Sequence, residues 1–150
     1  MRGSGGAACV PMSGEITATQ AGVVSLHSSE DVVRLRQAVR EQAVALKFSL
    51  IDQTKLVTAA SELARNTVIY GKGGDAHICL LLNGSRRGLQ LRFTDRGPGI
   101  ADVEQAMRDG YSSGSGLGLG LGGAKRLSDA FDIDTGPSGT SVSIIKWKPF

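Results

Sequence analysis

Gly110-Tyr111-Ser112-Ser113-Gly114-Ser115-Gly116-Leu117-Gly118-Leu119-Gly120-Leu121-Gly122-Gly123 is the stretch around which this chain is organised. Seven of its fourteen residues are glycine. Glycine gives up more backbone freedom on ordering than any other residue, so a fold seeking only a core would not concentrate it here. Glycines do let backbone N–H groups approach phosphate oxygens without a Cβ in the way. Leu117, Leu119 and Leu121 alternate with them and can anchor the run to the body of the protein. Two readings follow from these residues alone: a mobile phosphate lid, or a flexible linker.

Composition narrows the class. A chain of 150 residues, 41% hydrophobic and 21% charged, reads as one domain with a real core. The formal net charge of +3 comes without a dense Lys/Arg run, so nucleic acid is not implied, while an anionic ligand or acidic partner is accommodated. Apolar runs fall short of the roughly 18–20 residues that span a membrane, and the N-terminus has no apolar signal region. A cytoplasmic location is expected. Cys9 and Cys79 form no Cys-x-x-Cys pair and have no His at ligand spacing, so zinc is not expected and reduced thiols are the simplest reading. Residues 1–14, rich in Gly, Ala and Ser, read as a disordered tail, a cloning scar or an upstream mis-start, with Met12 a plausible start. Residues 15–150 are the expected domain.

Working outward from the glycine run, residues 15–27 read as two short β segments. Ser28-Ser29-Glu30-Asp31 starts an amphipathic helix to about Lys47, with Val32, Leu35, Val39, Ala43 and Leu46 on its apolar face. Asp52 is the expected cap of a second helix, about residues 53–70, whose stripe runs from Leu56 to Val68. Residues 77–82 and 89–95 read as an antiparallel hairpin around a turn at 83–88. A short helix at about 102–109 precedes the glycine run, a helix at about 121–130 follows it, and strands are expected at 131–135 and 140–147. This order predicts an α/β (α+β) two-layer sandwich: a mixed, mostly antiparallel sheet with helices on one face. His27 and His77 fall in expected strands and read as structural.

Two further motifs flank the run. Glu62-Leu63-Ala64-Arg65-Asn66 sets a carboxylate and an amide one helical turn apart. The amide oxygen is a hard ligand suited to Mg²⁺, and the carboxylate can polarise an attacking hydroxyl. The same pair also fits a solvated helical face. Asp95-Arg96-Gly97-Pro98-Gly99 puts an acceptor at a strand end beside glycines that admit a ligand closely, and it equally fits a tight turn. The glycine run lacks the Gly-Lys-Ser/Thr of a Walker loop, and it is a poor fit to a dinucleotide fingerprint.

In their order and spacing these motifs resemble the GHKL ATPase/kinase superfamily, with its Bergerat ATP-binding fold. Glu62 and Asn66 match the N-box. Asp95, Gly97 and Gly99 match the adenine motif, Gly114, Gly116, Leu117, Gly118, Leu119 and Gly120 fall in the lid, and Gly139-Thr140 matches a fourth element. Ser-Glu-Leu-Ala-Arg-Asn and the run 107–113 further resemble the RsbT-type serine kinases of partner-switching systems, with the RsbW-type anti-sigma-factor kinases next. The resemblance implies ATP and Mg²⁺ as cofactors. Glu62 is then the catalytic base and Asn66 the metal ligand. Asp95 would meet the adenine amino group, Thr140 would lie near the base, and the lid glycines would bind the phosphates. Arg65, Arg108 and Lys125 are weaker phosphate candidates. It also implies a protein serine/threonine kinase whose substrate is a STAS-domain antagonist and whose other partner is a PP2C-type phosphatase or a sigma factor. The alternative is an ATP-gated binding module that transfers little or no phosphate. Glu62 speaks for the enzyme, since a pure binder needs no base there. A histidine-kinase catalytic domain would need a dimerising helix with an acceptor His, and gyrase or chaperone relatives would need a second domain.

Overall fold

The computed structural model describes Cys9 and residues 16–108 and 120–149. Five strands form one sheet in the order β1-β2-β3-β5-β4, with β1 (Thr17–Leu26), β2 (Gly74–Asn83), β3 (Arg86–Asp95), β4 (Ala130–Gly136) and β5 (Gly139–Trp147). Every neighbouring pair is antiparallel. The parallel component of the expected mixed sheet is therefore absent among the described residues. The excursion through the two long helices brings β2 back antiparallel to β1, whereas the excursion after β3 brings β4 in parallel to β3, and β5 inserts between β3 and β4 so that every neighbouring pair stays antiparallel.

Helix α1 (Ser29–Ala45) starts where the sequence signals it. Ser28 caps it, its hydroxyl accepting from the Asp31 amide, and the Asp31 carboxylate accepts in return from the amides of His27 (2.7 Å) and Ser28 (3.1 Å). The His27 amide, followed by the Arg34 guanidinium, holds the Asp31 carboxyl below the ordinary carboxylate range despite its burial. Helix α2 (Leu50–Ile69) is capped by Ser49 rather than Asp52, which lies one turn inside and donates its amide to the Ser49 hydroxyl. An acid in the first turn serves the helix dipole as well as the cap position would, which is why the two readings are hard to separate.

Leu35, Val39, Leu56, Ala60 and Leu63 from the helices meet Ile78, Leu89, Leu91 and Ile144 from the sheet in one core. Packing of two apolar helical stripes on one sheet face makes the expected two layers. The two segments expected at residues 15–27 are a single edge strand with a register shift between Gln20 and Gly22. Such a bulge changes the phase of the alternation and so imitates a break. His27 lies just beyond this strand, and His77 lies within β2, where burial pulls its imidazole below the ordinary value. The hairpin turn is only Gly84-Ser85, with Gly84 at φ 63, so both strands run further than expected.

The cysteines are not reduced. Cys9 and Cys79 form a disulfide across 70 residues of sequence. Cys79 is fully buried at mid-strand, pairing with Gln90 across β3. Alternation along β2 sends it to the face opposite Ile78, so Cys9 is fastened to the sheet layer away from the helices. No spacing signal marks two cysteines that far apart. No described helix is long and apolar enough to cross a membrane.

Candidate functional site: a cavity at one end of the sheet

Asp95 pairs with Gly74 on one side and Thr140 on the other, and Thr140 pairs in turn with Thr135. This register row closes one end of the sheet. Helix α2 passes over it, and between them lies a cavity of about 540 Å³. Its wall includes Glu62 and Asn66 from α2, Asp95 and Thr140 from the row, and Gly99 and Gly120 from the segments entering and leaving the site. Glu62 and Asn66 share the wall because residues four apart on a helix lie one above the other. Phe93 and Val142 line the apolar part, both on the core-facing side of their strands.

The two carboxylates are held very differently. Asp95 Oδ1 accepts from the Gly97 amide at 2.8 Å and the Thr140 amide at 3.2 Å. The strand end and the following turn thus fix one oxygen. Oδ2 lies against Gly71, where a Cβ would come within 2.4 Å of it. Glu62 instead meets the Arg65 guanidinium at 3.6 Å through Oε2 and the Gly120 amide at 3.4 Å through Oε1. Both contacts are long, and the guanidinium is 38% exposed, so solvent screens the pair.

Behind Asp95, the hydroxyls of Thr135 and Thr140 lie 2.8 Å apart, and Thr135 also accepts from the Ile100 amide at 2.9 Å. Gly99 has φ 86, and a Cβ there would fall 2.2 Å from the Gly136 carbonyl oxygen. Only glycine permits this approach, which brings the segment after β3 against the β4–β5 turn.

The structure therefore brings Glu62, Asn66, Asp95, Gly99, Gly120 and Thr140 to one cavity. Gly97 is not on its wall. It packs on the Tyr70–Gly71 backbone and acts through its amide on Asp95. Gly114, Gly116, Leu117, Gly118 and Leu119 lie outside the described residues. Arg65 reaches the wall, whereas Arg108 and Lys125 are exposed and away from it. Gly71 is the residue that sequence reasoning missed. It directly follows the helix expected to end at about residue 70, and its missing Cβ makes the room that Asp95 occupies. The apolar wall carried a usable signal in the alternation of β3 and β5.

A fold of two helices on a five-stranded antiparallel sheet, with a carboxylate–amide pair on the helix and an acid at the strand end, defines a class. A sequence profile of the histidine kinase-like ATPase domain matches residues 27–146, and the chain belongs to that family. It is similar to the serine/threonine-protein kinase RsbT of Bacillus subtilis, 40% identical over 125 residues, which cover 83% of this chain and 94% of the relative. It is 32% identical over 131 residues to the anti-sigma F factor of Clostridium acetobutylicum, covering 83% of this chain and 90% of that protein. A crystal structure of the RsbU and RsbW domains of a Mycobacterium tuberculosis protein matches with a TM-score of 0.59 at 19% identity. That match covers 89% of this chain but 33% of the larger one, and it speaks for the fold alone. Together the relatives fit a nucleotide-using serine/threonine kinase of a partner-switching system.

Proposed function

We propose that residues 15–150 form an ATP-dependent protein kinase domain that phosphorylates a serine or threonine of a STAS-domain antagonist and exchanges it for a PP2C-type phosphatase or a sigma factor. The observation that carries this reading is the placement of Glu62 and Asp95 on opposite sides of one cavity, one on the helix and one on the sheet. The adenine packs on the apolar surface formed by the paired neighbours Phe93 and Val142, with its amino group donating to Asp95 Oδ2. The triphosphate then runs toward Glu62, Asn66 and the N-terminus of the helix Gly120–Arg126.

In the transfer, the acceptor hydroxyl gives its proton to Glu62 while its oxygen bonds to the γ-phosphorus. The bond from that phosphorus to the bridging oxygen breaks and ADP leaves. The Arg65 contact orients Glu62 without burying it. Asn66 fits a Mg²⁺ ligand by the chemistry of its amide oxygen, on the wall one turn from Glu62. When bound, the ion neutralises phosphate charge. The lid glycines 114, 116, 118 and 120, with Leu117 and Leu119, are assigned to the phosphates on the sequence pattern and on Gly120 standing at the rim. A cytoplasmic setting supplies ATP, and there the thiol pool would act on the Cys9–Cys79 bond.

The test is incubation with Mg-ATP and a STAS-domain partner, followed by mass spectrometry of the partner. Phosphoserine or phosphothreonine is expected. ATP-dependent binding without phosphate on the partner would instead support the sequestering module, which the likeness to an anti-sigma factor favours as the second reading.

A further inference from the structure

The end of the sheet remote from the cavity carries a second feature that the kinase reading does not use. The ten residues of β3 separate the two ends by about 30 Å at the usual rise per residue. At the remote end a groove of about 280 Å³ is lined by Leu46, Lys47, Ser85, Arg86, Arg87, Lys148 and Pro149. Four of these seven are cationic and none is acidic. Three separate pieces of chain supply the charge: the α1–α2 turn, the β2–β3 hairpin and the end of β5. No carboxylate among the described residues pairs with Lys47, Arg86, Arg87 or Lys148.

The groove is built rather than incidental. The Arg86 guanidinium lies 4.8 Å from the centre of the Trp147 ring on the sheet face away from the helices, so Arg86 borders the groove while its charge is fixed on the other face. Its Nε is buried with no acceptor among the described residues. The Lys148 amide donates to the Arg87 carbonyl at 2.8 Å, which ties the β5 end to the hairpin. Lys47 holds a left-handed backbone, φ 67, at a helix end where glycine is the usual occupant. A cation therefore stands at a position whose backbone favours a residue without a side chain. Immediately beyond it, Leu50 and Ile51 are 71% and 69% exposed on the first turn of α2.

We propose that this groove is a docking site for an acidic segment of a protein partner, one that alternates carboxylates with aliphatic side chains. Charge complementarity selects the carboxylates, with Arg87 as the forked donor and Lys47 and Lys148 as point charges beside it. The exposed Leu50 and Ile51 select a peptide over a nucleic acid or a simple anion. The site is separate from the nucleotide cavity, so a partner held here would be retained whatever the cavity contains.

The probe is a fluorescein-labelled twelve-residue peptide alternating Glu and Leu, titrated into the full chain by anisotropy at two salt concentrations. Saturable binding that weakens with salt is expected. The double variant Lys47→Glu with Arg87→Glu, both exposed positions, should weaken it by about tenfold or more. Arg87→Lys, which keeps the charge and loses the fork, should weaken it by about threefold. ATP affinity, measured in the same samples, should not change in either variant, which separates this site from the cavity and reports intact folding. No saturable binding, or equal binding by the charge-reversed variant, would overturn the proposal. So would tighter binding of a twelve-residue oligothymidylate than of the peptide.

Discussion

Among the carboxylates that line the cavity, Asp95 and Glu62 are held by opposite means. Asp95 is set by backbone: two amides take one of its oxygens, and Gly71 clears the space around its side chain. Glu62 is set by a side chain and a long amide contact, both of which can rearrange. A group that recognises a rigid heterocycle benefits from being fixed, since nothing has to be ordered on binding. A group that accepts a proton during reaction has to meet a second substrate and then release the proton, so looser tethering is suited to it. Under the proposed roles, the difference in support maps onto recognition on the sheet side and chemistry on the helix side.

That division is exposed to test. The largest effect is expected from Glu62→Ala, which should slow phosphoryl transfer by about 100- to 10,000-fold, the range for loss of a general base. ATP affinity should be nearly unchanged, as read by titration calorimetry. Next, Asp95→Asn should weaken ATP binding by about 30-fold, the equivalent of roughly 2 kcal/mol for a hydrogen bond to a charged acceptor. Equal weakening by both substitutions would dissolve the distinction between the two carboxylates.

Smaller effects should leave the cavity alone. Reduction of Cys9–Cys79 should lower stability by about 2 kcal/mol, or roughly 5 °C in Tm, the low end for a bond that fastens a terminal segment. ATP affinity should not respond, because Cys79 sits at mid-strand and not in the register row of Asp95. Smallest is the effect of Asp31. Its carboxyl is held below its ordinary value in the fold, so its stabilisation is present at neutral pH and fades as the pH falls through the depressed value. The gap in Tm between the wild-type chain and Asp31→Asn should therefore be open above about pH 4 and close below it.

Much of this arrangement was legible before the fold was known, and the reasons differ by residue. Periodicity marked the helices because their apolar stripes face a core directly: Val32, Leu35, Val39 and Ala43 are all buried. Glu62 and Asn66 could be placed on one wall because a helix fixes the relation between residues four apart. The β1 bulge was misread because one extra residue at Ala21 shifts the alternation. The cap of α2 was misplaced by one turn because Ser49 and Asp52 are both good N-terminal residues.

Contacts between remote segments were hidden for a different reason. The Asp95–Gly71 approach, the Thr135–Thr140–Ile100 cluster and the Cys9–Cys79 bond depend on strand order and register, which no local pattern encodes. Lys146 is a further case. It is buried on β5 between Asp52 of α2 and Asp129 before β4, at 3.6 and 3.7 Å. Its position in the alternation faces the core side, and the pairing with two carboxylates from other elements accounts for a lysine there.

The most direct measurement of the central claim counts bound ATP and phosphorylated partner in the same samples, for the wild-type chain, Glu62→Ala and Asp95→Asn, at saturating nucleotide. The division of roles predicts that Glu62→Ala binds ATP fully and phosphorylates almost nothing, while Asp95→Asn, once saturated, phosphorylates at close to the wild-type rate. Loss of transfer in saturated Asp95→Asn as severe as in Glu62→Ala, or normal transfer by Glu62→Ala, would contradict it.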